Sequence, residues 1–338
     1  MKRTDLTLDV TGVAGLGETA TIAATVHLPT PDKLGAPPIV CFAKPGARFS
    51  REYFAHPLPG GDVSQAEWHA DRGWVFVSID HLGAGDSSTH ESHRLDYTAI
   101  TTASLAAERV VLDRLEQGTV DDHFPPLRNP VVLGIGQSMG GSLTVVQQGR
   151  HHCYDGIAVL GYSVVHSHPP APPGATPLVR PWRLRDVPAG RPPVVLNAER
   201  YEAARRAAAT PELASASNHW LFFYDDVDLD PAQVHSGPWA SPTVPLGVTD
   251  SVLTPGVIAP EAAAVEVPVL VAMGERDIIA DPKGEPRAYL SATSVDLYIC
   301  PRMGHMHNFA GTRERLWHRI DSWGSWVAFS SAAAEPGG

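Results

Sequence analysis

The sequence predicts an α/β fold with a mainly parallel central sheet and helices on both faces. Two observations favour this class. Short continuous apolar runs alternate with segments of helical pattern, as buried parallel strands alternate with their crossover helices. The chain also has 338 residues, 43% of them hydrophobic, which is enough for one large core with an added subdomain. The apolar runs are 38–43, 75–79, 131–133, 156–161, 267–273 and 295–300.

The first 40 residues predict antiparallel strands at one edge of this sheet. Segments such as 21–28 have the two-residue period of a strand that buries one face. Two helices are expected further on, over 63–72 and 97–116. In the second of these, leucine and valine recur at helical spacing.

The pentapeptide GQSMG at 136–140 follows the apolar run 131–133 and leads into a helical segment at 141–146. A strand, a tight turn and a helix place a serine hydroxyl on an exposed corner at the top of a sheet. Glycines suit this corner because neighbouring backbone comes so close that a Cβ would clash. The context predicts that Ser138 is a nucleophile.

A carboxylate and a histidine follow the last two apolar runs. Asp277 comes just after the run 267–273, and His305 comes after the run 295–300. Because parallel strands all end at the same edge of a sheet, both side chains are expected near Ser138. A nucleophilic serine needs a base that takes its proton and a carboxylate that orients the base. The sequence therefore predicts a catalytic triad of these three residues.

The chain order serine, acid, histidine and the motifs at 136–140, 274–277 and 304–305 resemble the α/β-hydrolase fold superfamily, over most of the chain except its middle. The segment 80–87 is similar to the D-x-x-G-x-G-x-S loop after an early strand of that family. We interpret this loop as a glycine-rich turn without chemistry of its own. The resemblance implies a serine hydrolase with a cap insertion, and we expect no cofactor.

The resemblance also implies an oxyanion hole built from two backbone N–H groups. The first is that of Met139, the residue after the nucleophile. The second comes from the loop after 38–43, where this chain has Pro45-Gly46 in place of the His-Gly of many relatives. Matching glycine to glycine selects the N–H of Ala47, with Gly46 as the alternative, because proline has no N–H.

Three cationic residues, Lys44, Arg48 and Arg51, lie close to this loop in the sequence. Most lysine and arginine side chains in folded proteins are exposed. We therefore interpret them as solvated surface charge, with recognition of an acidic substrate as the alternative.

The segment 164–263 differs in composition from the rest of the chain. Its 100 residues hold 16 of the 31 prolines, a density that central strands do not tolerate. α/β-Hydrolases insert a cap or lid at this place. The predicted domains are therefore a core of 1–163 and 264–330 and a cap of 164–263, followed by a frayed tail at 331–338.

Two helices are expected within the predicted cap, over 199–209 and 218–226. The second carries an aromatic cluster, in which Trp220, Phe222 and Phe223 are candidates to line a partly apolar substrate pocket. The alternative is that these side chains pack the cap onto the core, because pockets and cores are built from the same residue types.

His307 and Asp281 are alternatives to His305 and Asp277. His305 lies nearer the strand end, and Asp281 stands before a proline as a helix cap would, so the first assignment is favoured. His305, His307 and Asp277 could also supply three metal ligands. The sequence does not contain the H-E-x-x-H spacing of a metalloprotease, and we expect no metal ion.

The net charge of −11 at pH 7 argues against nucleic acid or an anionic membrane as a partner. The N-terminus does not have the apolar core of a signal peptide, and no apolar run approaches the length of a membrane span. Cys41, Cys153 and Cys300 are odd in number and far apart, which favours free thiols in a reducing compartment. We expect a cytoplasmic protein that acts on a small molecule.

The leading hypothesis from the sequence is a serine hydrolase that cleaves a carboxylic ester, lactone or thioester through an acyl-enzyme on Ser138. Cleavage of an amide, or of a carbon–carbon bond in a β-diketone-type substrate, would use the same triad, because the pocket selects the bond. The third hypothesis is a ligand-binding protein that keeps the fold without turnover.

Overall fold

A computed structural model of the chain describes residues 1–175, 178–185, 187, 194–207, 219–227, 229 and 231–334. Eight strands of the described residues form one sheet. They are β1 (Lys2–Asp9), β2 (Thr21–Leu28), β3 (Ile39–Lys44), β4 (Val75–Ile79), β5 (Val131–Gln137), β6 (Gly156–Leu160), β7 (Val269–Gly274) and β8 (Val295–Cys300).

The strand order in the sheet is β1-β2-β4-β3-β5-β6-β7-β8. The pairs β1–β2 and β2–β4 are antiparallel, and all the other pairs are parallel. The mainly parallel sheet with an antiparallel N-terminal edge is therefore confirmed. Gln137 pairs with Leu160, and Gly274 pairs with Cys300, so the parallel strands end at one edge. The loops that leave β3, β5, β7 and β8 meet there.

Nine α-helices have defined bounds within the described residues. They are α1 (Glu52–Ala55), α2 (Gln65–Ala70), α3 (Tyr97–Gln117), α4 (Met139–His151), α5 (Ala198–Ala207), α6 (Pro231–Val234), α7 (Leu246–Thr249), α8 (Ala259–Ala263) and α9 (Arg313–Ala334). Residues 219–222 are helical as well. Short 3₁₀ turns occupy Pro31–Lys33, Ser92–Arg94, Glu285–Ala288 and His307–Phe309.

Helices α2 and α3, which correspond to the two helices predicted before the nucleophile, begin at side-chain caps. Ser64 and Glu67 form a reciprocal capping box, with N–H···O distances of 3.1 and 2.8 Å. Asp96 accepts the N–H of Ala99 at 2.8 Å, and α3 ends at Gly118 in the left-handed conformation, with φ of 68°.

Helices cover both faces of the sheet, as predicted. Successive strand residues point to opposite faces, so Val40 and Phe42 of β3 pack in the cluster with α3 and α4, whereas Cys41 packs in the cluster with α1 and α9. All three of these β3 side chains are buried. The hydrophobic cores on the two faces hold the strand ends, and the loops after them, in fixed positions.

The predicted cap segment contacts the loops at the carboxyl edge of the sheet. Ala240 forms an antiparallel bridge with Phe49, in the loop after β3, and Ser167 forms one with Ile279, after β7. Ser92, in the loop after β4, donates its hydroxyl to the carbonyl of Val244 at 2.6 Å. These contacts place the described cap residues over the edge at which the parallel strands end.

The last part of the segment assigned to the cap packs into the core. Val248, Ile258 and Ala262, in or beside α7 and α8, are buried in the same cluster as α3 and α4. A Cβ on Gly149 of α4 would lie 2.2 Å from the carbonyl oxygen of Glu261, so α8 and α4 touch through their backbones. By its packing, this stretch continues the core domain.

Some predicted boundaries differ from the observed ones. The helix expected over 199–209 runs from Ala198 to Ala207, and its predicted last two residues lie outside the described residues. The first residue of the helix expected over 218–226 also lies outside them, and the described helical part ends at residue 222. Helix α9 continues to Ala334, so 331–334 are helical where a frayed tail was expected, and 335–338 lie outside the described residues.

Candidate active site

Ser138 occupies a strained corner between β5 and α4. Its φ of 54° and ψ of −120° are unusual for a residue with a Cβ, and backbone contacts hold it there. Its N–H donates to the carbonyl of Leu160 at 2.8 Å, and its carbonyl accepts the N–H of Ser142 at 3.2 Å. The corner therefore projects the serine side chain from the edge where the parallel strands end.

The two glycines that flank Ser138 allow three backbone segments to meet at this corner. A Cβ on Gly136 would lie 2.1 Å from the carbonyl oxygen of Gly140, and a Cβ on Gly140 would lie 2.1 Å from that of Lys44. No side chain fits at either position without moving backbone. This contact packs the start of α4 against the loop that follows β3.

Ser138, His305 and Asp277 meet as the sequence predicts. His305 Nε2 lies 3.0 Å from Ser138 Oγ, and His305 Nδ1 lies 2.6 Å from Asp277 Oδ1. An ionised carboxylate only accepts hydrogen bonds, so Nδ1 of His305 carries a proton, and in the neutral form of the ring Nε2 would accept from the serine hydroxyl. The arrangement can take a proton from Ser138 and stabilise the imidazolium that forms.

The carboxylate of Asp277 accepts four hydrogen bonds. Besides His305, it accepts the N–H of Gly274 at 2.9 Å, the N–H of Ile278 at 2.7 Å and Nε2–H of His307 at 2.8 Å. Burial alone would raise the pKa of Asp277, but the imidazoles of His305 and His307 outweigh burial and hold this pKa well below its usual range. Asp277 therefore stays ionised.

His307 and Asp281, the alternatives to His305 and Asp277, form hydrogen bonds with groups other than Ser138. His307 is a second donor to the carboxylate of Asp277, on the oxygen that His305 does not use. Asp281 accepts the N–H of Gly284 at 3.2 Å, which closes a local turn. The sequence spacing had not indicated that both histidines would bond to one acid.

The loop after β3 lies beside Ser138. A Cβ on Gly46 would lie 3.2 Å from Ser138 Cβ and 2.4 Å from Gln137 Oε1, so the loop backbone lies close to the side chain of Ser138. Among the described residues, the N–H groups of Ala47 and Met139 meet no hydrogen-bond acceptor. Both groups are therefore able to donate to a bound ligand.

A buried histidine that the sequence analysis did not single out supports this loop. Nε2 of His81 lies 2.9 Å from the carbonyl oxygen of Pro45, and burial lowers the pKa of His81 to about 4. His81 is therefore neutral at pH 7 and donates Nε2–H to that carbonyl. The only signal in the sequence is its place after Asp80 in the glycine-rich loop.

The rest of the glycine-rich loop forms a buried ionic contact. Asp80 accepts the backbone N–H of Arg51 at 2.5 Å, the guanidinium of Arg51 at 2.6 Å and the N–H of Asp86 at 2.8 Å. A Cβ on Gly85 would lie 2.2 Å from the Asp80 carboxylate. The contacts join the loops after β3 and β4 and do not reach Ser138.

The expectation of solvated cations beside the oxyanion loop was wrong for two of the three. Lys44 is 1% exposed and donates to Glu108 Oε1 at 2.5 Å and to the hydroxyl of Tyr154 at 2.6 Å. Arg51 is buried against Asp80, as described above. Of the three, Arg48 alone is exposed. Charged partners within the core, which are distant in sequence, account for the difference.

The three candidate pocket aromatics separate in the structure. The ring of Phe222 lies 5.7 Å from that of His305, beside the predicted triad. Trp220 packs on the guanidinium of Arg276 instead, at 4.1 Å from the ring centre. Phe223 is buried and meets the ring of Phe309 edge-on. Consecutive helical residues point about 100° apart, because a helix has 3.6 residues per turn.

Within the described residues, no group of three or more His, Cys, Asp or Glu side chains is placed to hold a metal ion. Nor does any helix of that part of the chain have the length and apolar character needed to cross a membrane. Cys41, Cys153 and Cys300 are all free thiols, as expected.

Comparison with protein-family models gives no match. Comparison with curated proteins gives no significant match. Solved structures are similar over nearly the whole chain. A proline iminopeptidase from Mycobacterium smegmatis has a TM-score of 0.61 at 14% identity, covering 97% of this chain and 100% of that chain. An esterase from Exiguobacterium antarcticum has a TM-score of 0.58 at 14% identity, covering 95% of this chain and 100% of that chain.

A haloalkane dehalogenase loop variant from Bradyrhizobium elkanii has a TM-score of 0.55 at 14% identity, covering 98% of this chain and 99% of that chain. The strand order and these similarities show that the chain has the α/β-hydrolase fold.

Proposed function

We propose that the protein is a serine hydrolase that cleaves a carboxylic ester, lactone or thioester through an acyl-enzyme on Ser138. The observation that carries the proposal is the continuous hydrogen-bonded series from Ser138 Oγ through His305 to Asp277, with distances of 3.0 and 2.6 Å. The strained backbone of Ser138 supports it, because strain of this kind is retained where function requires it.

In the proposed reaction, Ser138 Oγ attacks the acyl carbon while its proton passes to Nε2 of His305. Asp277 orients the imidazole and stabilises its positive charge. The carbonyl oxygen becomes an oxyanion, which accepts the N–H groups of Met139 and Ala47. His305 then gives the proton to the leaving oxygen or sulfur, and the acyl group stays on Ser138. A water that loses a proton to His305 releases the acid and restores the serine.

The proposed substrate is a small, partly apolar molecule. The ring of Phe222, beside His305, offers an apolar wall at the position of the acyl or leaving group. Trp220 and Phe223 have other contacts, so Phe222 is the one pocket residue that we carry forward from the three predicted aromatics.

The test is labelling with a fluorophosphonate probe, read by mass spectrometry of the intact protein and its peptides. We expect one label, on Ser138, in the folded protein. The matched control is Ser142→Ala, which removes the buried hydroxyl of a nearby serine within α4 and should leave the labelling intact. Ser138→Ala should remove the label and lower kcat on any substrate by on the order of 10⁴ or more.

A panel of p-nitrophenyl esters of different chain lengths then identifies the bond. Turnover of these esters supports the proposal, whereas labelling of Ser138 without any ester turnover would favour an amide or a carbon–carbon bond. Folded protein that takes no label and turns over no ester would contradict the proposal and favour a ligand-binding protein.

A further inference from the structure

A turn of the predicted cap, residues 219–224, ends against the two loops that carry Asp277 and His305. We call it the docking turn. Its helical part ends at residue 222, where the N–H of Phe223 donates to the carbonyl of His219 at 3.0 Å. The last four carbonyl groups of a helix have no partner within the helix and need one elsewhere.

The carbonyl of His219 accepts that N–H of Phe223, and the two loops supply donors to the other three. The N–H of His305 donates to the carbonyl of Leu221 at 3.0 Å, and the N–H of Met306 donates to that of Phe222 at 2.9 Å. Nη1 of Arg276 donates to the carbonyl of Trp220 at 3.0 Å and lies 3.5 Å from that of Phe223. The docking turn is therefore the hydrogen-bond partner of the backbone at His305 itself.

Arg276 makes the most extensive contacts with the docking turn. Its side chain is 11% exposed and its guanidinium contacts two rings, 4.1 Å from the centre of Trp220 and 4.5 Å from that of Tyr224. Nη2 also pairs with Asp225 at 3.0 Å. A cation at a helix C-terminus, stacked on aromatic faces, is favourable both for the helix dipole and for the rings.

The loop that carries His305 is shaped to receive the docking turn. A Cβ on Gly304 would lie 2.6 Å from the carbonyl oxygen of Phe222 and 3.0 Å from that of Leu221. Only glycine lets those carbonyls approach the N–H groups that follow. The glycine before the histidine, noted in the sequence as a motif, is thus explained by contact with the cap.

We propose that Arg276 is a positioning residue: by holding the docking turn in place, it holds the backbone of His305 and hence the distance from Nε2 to Ser138 Oγ. This inference rests on the proposed function for its effect on the reaction, although its structural part does not. Arg276 adjoins Asp277 in sequence, so one loop both orients the imidazole and fixes the docking turn that supports its backbone. Correct placement of His305 then requires that this part of the cap is docked.

The experiment compares Arg276→Met, which keeps the length of the side chain and removes every donor, with Arg302→Met. Arg302 is the matched control, because its guanidinium reaches Asp226, beside the same turn, at 3.3 Å and is 62% exposed. The readouts are amide hydrogen exchange of the peptide that contains His305 and Met306, the rate of fluorophosphonate labelling and the melting temperature.

For Arg276→Met we expect exchange at His305 and Met306 to be at least about tenfold faster, with exchange in β5 and β7 unchanged, because local opening leaves the core closed. Labelling of Ser138 should slow roughly 10- to 100-fold, since small displacements of a reacting group have effects of this size. Arg302→Met should change neither the exchange at these amides nor the labelling rate. Arg276→Lys, which keeps a charged donor group, should restore part of the protection from exchange and part of the labelling rate.

Gly304→Ala also displaces the docking turn, because the added Cβ meets the carbonyl oxygen of Phe222. This variant keeps the test decisive if Arg276→Met does not fold. It should accelerate exchange at His305 and Met306 as Arg276→Met does. Wild-type exchange at these amides in a folded Arg276 or Gly304 variant would overturn the inference, and so would equal effects of Arg276→Met and Arg302→Met. If wild-type protein takes no label, the proposed hydrolase fails, whereas the exchange comparison still decides whether Arg276 positions the loop.

Discussion

At the scale of single residues, the unusual feature is the second histidine on Asp277. His305 Nδ1 and His307 Nε2 bond to different oxygens of one buried carboxylate, at 2.6 and 2.8 Å. Two backbone N–H groups complete the set. Each donor favours the ionised carboxylate and restrains its rotation. His307 therefore helps to keep Oδ1 directed at His305.

We predict that His307→Leu lowers kcat roughly tenfold, a smaller loss than that of a triad residue, because the carboxylate keeps three donors. Loss of a donor also raises the pKa of Asp277 and leaves the carboxylate less firmly oriented towards His305. His307→Gln, whose Nε2 can reach the same oxygen, should restore most of the activity. A pH–rate profile of both variants is the measurement, and equal profiles for Leu and Gln would refute the role.

The meeting of Ser138, His305 and Asp277 could be predicted because each residue follows a strand at a short distance, and parallel strands end at one edge. The direction in which a loop side chain points could not be predicted from the sequence. His305 and His307 differ by two positions, and only the packed loop shows that both turn towards Asp277. Lys44 was misassigned for the same reason, since its partner Glu108 lies 64 residues away.

At the scale of elements, the order and class of strands and helices followed from apolar runs and turn residues, whereas contacts between elements did not. The aromatic cluster of the helix predicted over 218–226 was expected to line a pocket or to pack the cap, and the structure distributes its rings among Arg276, His305 and Phe309. Long-range packing of this kind leaves no pattern in a single sequence.

The ion pair of Lys44 with Glu108 joins β3 to α3 beneath the nucleophile turn, and Gln147 of α4 also donates to Glu108, at 2.7 Å. We predict that Lys44→Met lowers the free energy of unfolding by about 3–5 kcal/mol, because it leaves a buried carboxylate without its cation. Urea denaturation is the measurement.

The control for this prediction is Arg128→Met, which breaks a pair with Glu116 of the same helix. Those side chains are 73% and 62% exposed. An exposed pair contributes at most about 1 kcal/mol, so this variant should remain close to the wild type. Similar losses in the two variants would show that the buried pair is no more important than a surface pair.

At the scale of the whole molecule, three histidines are buried without charge in separate parts of the fold. His27, His69 and His81 are at most 2% exposed. Burial lowers the pKa of His27 and His81 to about 4 and that of His69 to about 3. Each has a buried ring nitrogen that meets no hydrogen-bond partner among the described residues. A proton added to that nitrogen would therefore have no hydrogen-bond acceptor among the described residues.

In the unfolded chain these imidazoles titrate near 6.5, so between pH 6.5 and about 4 the unfolded state binds protons that the folded state does not. Stability is thus full above pH 6.5 and falls as the pH decreases through this window. From pH 7.5 to 5.5 we expect a loss of about 4 kcal/mol for the three histidines together, shared about equally among them.

Urea denaturation at the two pH values measures this loss, and exposed carboxylates contribute little because they titrate below the window. His69→Gln should reduce the pH-dependent loss by about one third, since it removes one of three similar contributions. His69 is the suitable position for this variant because its ring bonds to the carbonyl of Gln65 within α2, away from Ser138. An unfolding free energy that stays constant between pH 7.5 and 5.5 would mean that these histidines are protonated in the folded protein, and that their surroundings supply acceptors for the added protons.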